Sequence, residues 1–227
     1  EFRKLLEKVQ SKVTAKSLDH TKFARLYIEG LDFEQRGFQQ KSRDVFRDLT
    51  VLNPNFVPAY IHLSMAYLRN LQPDVAKFVL TNSLEINEKD GRLLNAMGLI
   101  ARNTDENELA MDWFNQALLA NPKLAEAYIN RATIHLEKKD YDAATPDVEK
   151  ALELSPQNAE ALMLMAIIKI NHEGDLNKGK HLLGRAIRAN PSQSLAKMRL
   201  AEVYIQEKKE LDFARKLLNN IVNDKNS

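Results

Sequence analysis

Residues 125–158 read AEAYINRATIHLEKKDYDAATPDVEKALELSPQN, and this stretch decides the fold. Its first half places Tyr128, Arg131, Ala132 and His135 at i, i+3, i+4 and i+7, which is one face of a helix. Its second half places Ala144, Val148, Ala151, Leu152 and Leu154 on one face of another. Lys138, Lys139 and Asp140 form a polar turn between them. Ser155-Pro156 ends the second helix, because proline cannot continue one. The unit is an antiparallel helix pair. Pro146 lies in the second half, close enough to its start to predict a helix beginning rather than a kink.

The marks of this unit recur in both directions. Small residues fall at Gly30, Ser64, Gly98, Ala132, Ala166 and Ala201, with gaps of 34, 34, 34, 34 and 35. A parallel series runs through Ser42, Ala76, Ala110, Ala144, Gly179 and Ala214, and prolines mark 54, 122, 156 and 191. Agreement of three registers on one period defines an array of one supersecondary unit. Its frames are 23–56, 57–90, 91–124, 125–158, 159–193 and 194–227, the last two with an extra residue in the turns 171–177 and 206–211. The small residues let the paired helices approach; a larger side chain there would overpack the crossing, at about 1–3 kcal/mol per site. Phe33, Tyr67 and Tyr204 of first helices fill the gaps alongside, as do Phe46, Leu80, Phe114, Val148, Leu183 and Leu218 of second helices.

With Tyr128 at position 4, Ala132 at 8, Ala144 at 20, Ala151 at 27 and Pro156 at 32, the unit resembles the tetratricopeptide repeat (TPR) family. The resemblance extends over 23–227 and implies an all-α, right-handed superhelical solenoid of six helix pairs. Departures are Glu29 at a usually apolar place, Ala101 and Lys169 where an aromatic is common, and Glu88 for a terminal proline. The first unit matches least well.

Composition fits this reading. Apolar content of 44% and charge of 28% are ordinary for a soluble chain, neither disordered nor membrane-embedded. No apolar run approaches the roughly 20 residues of a spanning helix. A net charge of +2, with dispersed basic residues, gives no nucleic-acid signature. The absence of cysteine excludes disulfides, thiolate metal sites and cysteine nucleophiles, and leaves the compartment open between cytoplasm and periplasm. The start at Glu1, without signal peptide or initiator methionine, reads as a processed or truncated product. Phe2, Leu5, Leu6, Val9 and Val13 give residues 2–14 an amphipathic helical pattern, so 1–22 is expected to cap the first unit. Asn219, Asn220, Asn223 and Asp224 predict a polar last helix and an array that ends near 222.

Catalytic chemistry is not in view. Histidines 20, 62, 135, 172 and 181 form no HExxH pattern and read as satisfied or exposed, with His172 in a turn and lacking a partner in sequence. The seven glycines are scattered, so no phosphate loop occurs, and neither a metal nor a cofactor is expected. Trp113, beside Phe114, fits core packing or an outward anchor for a partner.

The resemblance implies that positions 2, 5, 9 and 12 of the first helices point into a concave groove. Here they bring apolar residues, namely Ile61, Met65, Leu68, Leu99, Ile129, Leu136, Met163, Ile167 and Ile170, with Thr133 among them. Asn95, Arg102 and Asn130 are the polar groups that would orient a ligand. These residues lie roughly 80–140° around the helix from the core stripe. Either they pack against the adjoining first helix or they form an adaptable apolar floor for an extended peptide or an amphipathic helix. The clamp by which TPR co-chaperones hold acidic tails is missing, since Glu160 and Leu164 stand where its basic pair would follow Asn130. An asparagine ladder is missing too, position 6 reading Ile28, His62, Ala96, Asn130, Leu164 and Arg199. The expected function is a non-catalytic scaffold or adaptor for a protein partner. Its rivals are the regulatory or substrate-guiding arm of a larger enzyme, and a homo-oligomer assembled by docking 2–14 into a neighbour's groove.

Overall fold

Helices alternate along the chain with the period of the small residues. The computed structural model describes residues 20–224, so the helix expected over 2–14 lies outside the described residues. Twelve helices and no strand occur among those described: α1 (His20–Gln35), α2 (Gln39–Leu52), α3 (Val57–Arg69), α4 (Pro73–Leu84), α5 (Gly91–Asn103), α6 (Asn107–Ala120), α7 (Ala125–Glu137), α8 (Tyr141–Leu154), α9 (Ala159–Asn171), α10 (Leu176–Ala189), α11 (Ser194–Gln206) and α12 (Leu211–Asp224). Each odd-numbered helix packs on the even-numbered helix after it. Residues up to Pro122 form one compact unit and residues from Lys123 another.

Local chemistry sets the helix starts. Asp140, Asn158 and Asp175 accept backbone N–H bonds from Ala143, Ala161 and Lys178 at 3.1, 3.0 and 2.9 Å, and so cap α8, α9 and α10. Pro58 and Pro73 stand in the first turns of α3 and α4, where a missing donor costs nothing. The turn inside each pair reverses through a left-handed residue, in order Gly37, Leu71, Asp105, Lys139, Gly174 and Lys208. Beside it the N–H of Phe38, Gln72, Glu106, Asp140 or Lys209 reaches back five residues to the carbonyl of Phe33, Tyr67, Ala101, His135 or Tyr204. This bond satisfies a carbonyl at the end of the first helix. In the longer turn after α9 the corresponding bond runs from Asp175 to Lys169, which absorbs the extra residue.

All twelve small residues of the two series are buried. A β-carbon added at Gly98 would lie 2.6 Å from Phe114 Cδ1, and one at Gly30 would lie 3.0 Å from the Phe46 ring. Glycine at position 8 thus goes with phenylalanine at position 24, in both repeats where either occurs. The other repeats pair Ser64 with Leu80, Ala132 with Val148 and Ala166 with Leu183. Volume is traded across the crossing: the two glycines admit phenylalanine rings, whereas serine or alanine at position 8 meets a smaller aliphatic side chain. Phe46, Leu80, Phe114, Val148 and Leu183 are fully buried, but Leu218 at the same register is 37% exposed. Phe46, Leu80 and Val148 share buried clusters with residues of the following repeat, whereas among the described residues none follows α12.

Pro146 departs from the expectation of a helix start. Helix α8 begins at Tyr141 and runs through it. Ala144 already donates to Asp140, so residue 146 is past the first turn and the Asp142 carbonyl is denied its usual donor. Nearby, the inward face of α7 carries a charge. The Arg131 guanidinium donates from Nε to Asp147 Oδ2 at 2.7 Å and from Nη2 to Oδ1 at 2.6 Å, and it lies over the Tyr128 ring. Asp147 itself is buried.

Candidate functional site

A first helix buries one stripe against its own second helix and another against neighbouring repeats, so a ligand can use only what is left over. In the unit before Pro122, Ile61, Met65 and Leu68 of α3 are half-buried and lie against the cluster of Tyr60, Leu93 and Met97. On α5, Asn95 is buried, while Leu99 and Arg102 are half-buried. In the unit from Lys123, Ile129 and Met163 keep only 2% and 4% of their surface. They belong to the core shared by α7, α9 and α11, and Met163 Sδ also receives the Gln193 amide at 3.6 Å. Asn130 is buried. Thr133 is half-buried and donates its hydroxyl to the Ile129 carbonyl at 2.8 Å. Leu136 and Ile167 are half-buried on that core. Ile170 turns toward its own repeat, where a β-carbon on Gly179 would come within 2.7 Å of its Cδ1.

The expected set therefore divides. Ile61, Met65, Leu68, Leu99, Arg102, Thr133, Leu136 and Ile167 retain accessible surface on first helices. Ile129, Met163 and Ile170 serve the core first. On α12, Asn219 and Asn220 are exposed as the polar last helix requires, and Leu211, Phe213, Leu218 and Val222 are exposed with them.

Sequence reasoning missed a polar network on the faces of α1 and α3. His62 Nδ1 lies 2.8 Å from Glu34 Oε2, Arg69 bonds the other oxygen of Glu34, and Tyr27 Oη lies 3.4 Å from His62 Nε2. The His62 ring is also stacked on Phe46, with centroids 4.6 Å apart. The hydrogen bond from His62 and then the Arg69 contact hold the Glu34 carboxyl below the ordinary carboxylate range, against the opposing effect of burial. Burial first, and the Glu34 charge second, raise the Tyr27 phenol, so it stays a neutral hydroxyl. A carboxyl whose pKa is lower in the folded than in the unfolded chain stabilises fully above its ordinary range of about 4.3, and loses that stabilisation as pH falls through the folded value. The stability gap between the wild type and Glu34→Gln should therefore be widest near neutrality and should close in acid. Urea titrations at a series of pH values measure it.

Two other histidines have partners. His172 lies 3.5 Å from Asp142 and stacks on Tyr141 with centroids 5.2 Å apart, partners on the preceding repeat that its neighbours in sequence do not supply. His135 is 3.9 Å from Asp140. Trp113 is half-buried against the cluster of Met97 and Ile100 and lines a small recess beside them. Among the described residues no group of three or more His, Cys, Asp or Glu side chains is placed to hold a metal ion. Among them, no helix is long and apolar enough to cross a membrane.

Comparison with known proteins gives a family match to two of the helix pairs and a fold match to most of the chain. The tetratricopeptide repeat model matches residues 91–124 and again 125–158. A thermophilic TPR protein of Thermus thermophilus, TTC0263, superposes with a TM-score of 0.68 over 81% of this chain and 99% of that one, at 15% identity. The fold is the tetratricopeptide-repeat solenoid. Among curated proteins, the TPR chain is 27% identical over 143 residues to mouse BBSome complex member BBS4, covering 63% of this chain and 27% of that protein. It is 25% identical over 141 residues to anaphase-promoting complex subunit 3 of Schizosaccharomyces pombe, covering 62% and 21%. The TPR chain thus spans about a quarter of the length of these curated relatives.

Proposed function

We propose that this TPR chain is a non-catalytic scaffold that binds a segment of a protein partner, a peptide or an amphipathic helix, on the faces of its first helices. The observation that carries this reading is the surplus apolar surface there. Met65, Leu68 and Leu99 in one unit, and Leu136 and Ile167 in the other, keep surface that pair packing does not consume. Arg102 and Thr133 beside them supply the polar contacts that fix a bound segment's orientation. Two relatives named as components of complexes support the same reading.

Charge reversal tests it. Leu99→Glu and Ile167→Glu should each weaken capture of a protein partner by about 30-fold, the roughly 2 kcal/mol of a lost binding hot spot. Far-UV helicity should be unchanged, since neither residue is fully buried. Capture that persists at the wild-type level in both variants would move the binding surface away from the first helices.

A further inference from the structure

Helices α3 and α5 carry arginine but no acid. Arg69 lies on α3, Arg92 and Arg102 lie on α5, and neither helix contains Asp or Glu. The first helices of the other unit, α7, α9 and α11, each include glutamate. Helix α3 packs directly on α5. On α5, Arg92, Leu99 and Arg102 are spaced i, i+7 and i+10, and on α3 Met65, Leu68 and Arg69 are spaced i, i+3 and i+4, so arginine flanks the apolar surface on both helices. Burial and then the Glu34 charge raise the Tyr27 phenol, and the Arg92 charge opposes them, so Arg92 is within electrostatic reach of the network on α1 and α3.

Two carboxylates meet these arginines, and both are engaged. Glu34 lies against Arg69 through one oxygen and 2.8 Å from His62 Nδ1 through the other. Asp90 accepts Arg92 Nε at 3.1 Å and Nη2 at 2.6 Å, together with the Arg92 backbone N–H at 2.9 Å. A guanidinium has five N–H donors. Arg69 uses one of its five on Glu34, Arg92 uses two on Asp90, and their side chains keep 42% and 50% of their surface. Donors are therefore in surplus here, while the acceptors already have partners. A basic segment would find both carboxylates held by arginine, whereas an acidic one would meet unused N–H groups beside apolar surface.

Resting on the reading that first helices bind a protein segment, we propose that the unit before Pro122 selects an acidic one. Its apolar side chains lie on Met65, Leu68 and Leu99, and its carboxylates pair with Arg69 and Arg92. The contacts are made to side-chain carboxylates, so the segment needs no free C-terminus.

A phage-displayed library of random peptides, each joined to the coat protein through its C-terminus, tests this on the full chain. Two variants are used beside the wild type, Leu99→Glu and the double change Arg69→Gln with Arg92→Gln, each checked for wild-type helicity by circular dichroism. The double change spares the α5 cap, because Asp90 keeps the backbone N–H of residue 92. Peptides that bind the wild type but not Leu99→Glu should be rich in Asp and Glu among apolar residues. The double variant should bind them at least about 10-fold more weakly, the effect of one lost charged hydrogen bond. If no peptide distinguishes the wild type from Leu99→Glu, the first-helix reading fails and the proposal falls with it. If such peptides are found but are neutral or basic, or bind the double variant as tightly as the wild type, that reading stands and the acidic preference is overturned.

Discussion

Replacing Arg131 by leucine should destabilise the protein by about 3–5 kcal/mol, the largest loss expected of any single change considered for this chain. The reason is asymmetry within the ion pair. Asp147 is 5% exposed, and its two oxygens receive the Arg131 fork at 2.6 and 2.7 Å. Without Arg131, that carboxylate is left charged in the interior, away from water. Removing the acid instead, by Asp147→Ala, leaves a guanidinium whose side chain keeps 24% of its surface and can turn to solvent. That change should cost only about 1–2 kcal/mol, the usual loss of a charged hydrogen bond. Lysine should not substitute for Arg131, because one ammonium cannot make two parallel bonds to one carboxylate. Replacing both residues with leucine should recover most of the loss. Urea midpoints for the four variants measure the order; equal losses for Arg131→Leu and Asp147→Ala would refute the asymmetry.

Pro146→Ala should act in the opposite direction and raise stability by about 2–3 kcal/mol. Proline inside a helix costs about 3 kcal/mol relative to alanine, through its missing N–H and its ring's clash with the preceding turn. Part of this is returned because proline also restrains the unfolded chain, by roughly 0.4–1 kcal/mol. Pro146 is solvent-exposed, so alanine sacrifices no packing. Restoring a donor for the Asp142 carbonyl should lift the melting temperature by roughly 5–10 °C in a chain of this size. An unchanged melting temperature would mean that α8 already accommodates the missing bond at no cost.

These two residues also show what the sequence could and could not convey. The small-residue series was legible because each helix crossing imposes the same steric demand, and the demand repeats. Arg131 was legible as an inward residue by its spacing from Tyr128 and Ala132, but its partner was not, since Asp147 sits on another helix. The Glu34–His62–Arg69 network escaped for a related reason: it joins two repeats at positions that carry other residues elsewhere, so no period announces it. Pro146 was misread because the period marks a helix more reliably than its first turn. For the candidate binding face, the sequence located register positions but not depth. Ile129 and Met198 share position 5 and differ in exposure from 2% to 39%, because the neighbouring repeat decides burial.

The central claim is that a protein partner lies against the first helices, and site-specific photo-crosslinking tests it most directly. A benzophenone amino acid would replace Leu99 in one experiment, Ile167 in a second and the exposed Leu119 of α6 in a third, each in the protein's native cell. Positions 99 and 167 should give a covalent adduct with the same partner, and position 119 should give none. Adducts from position 119, with none from the two first-helix positions, would contradict the claim.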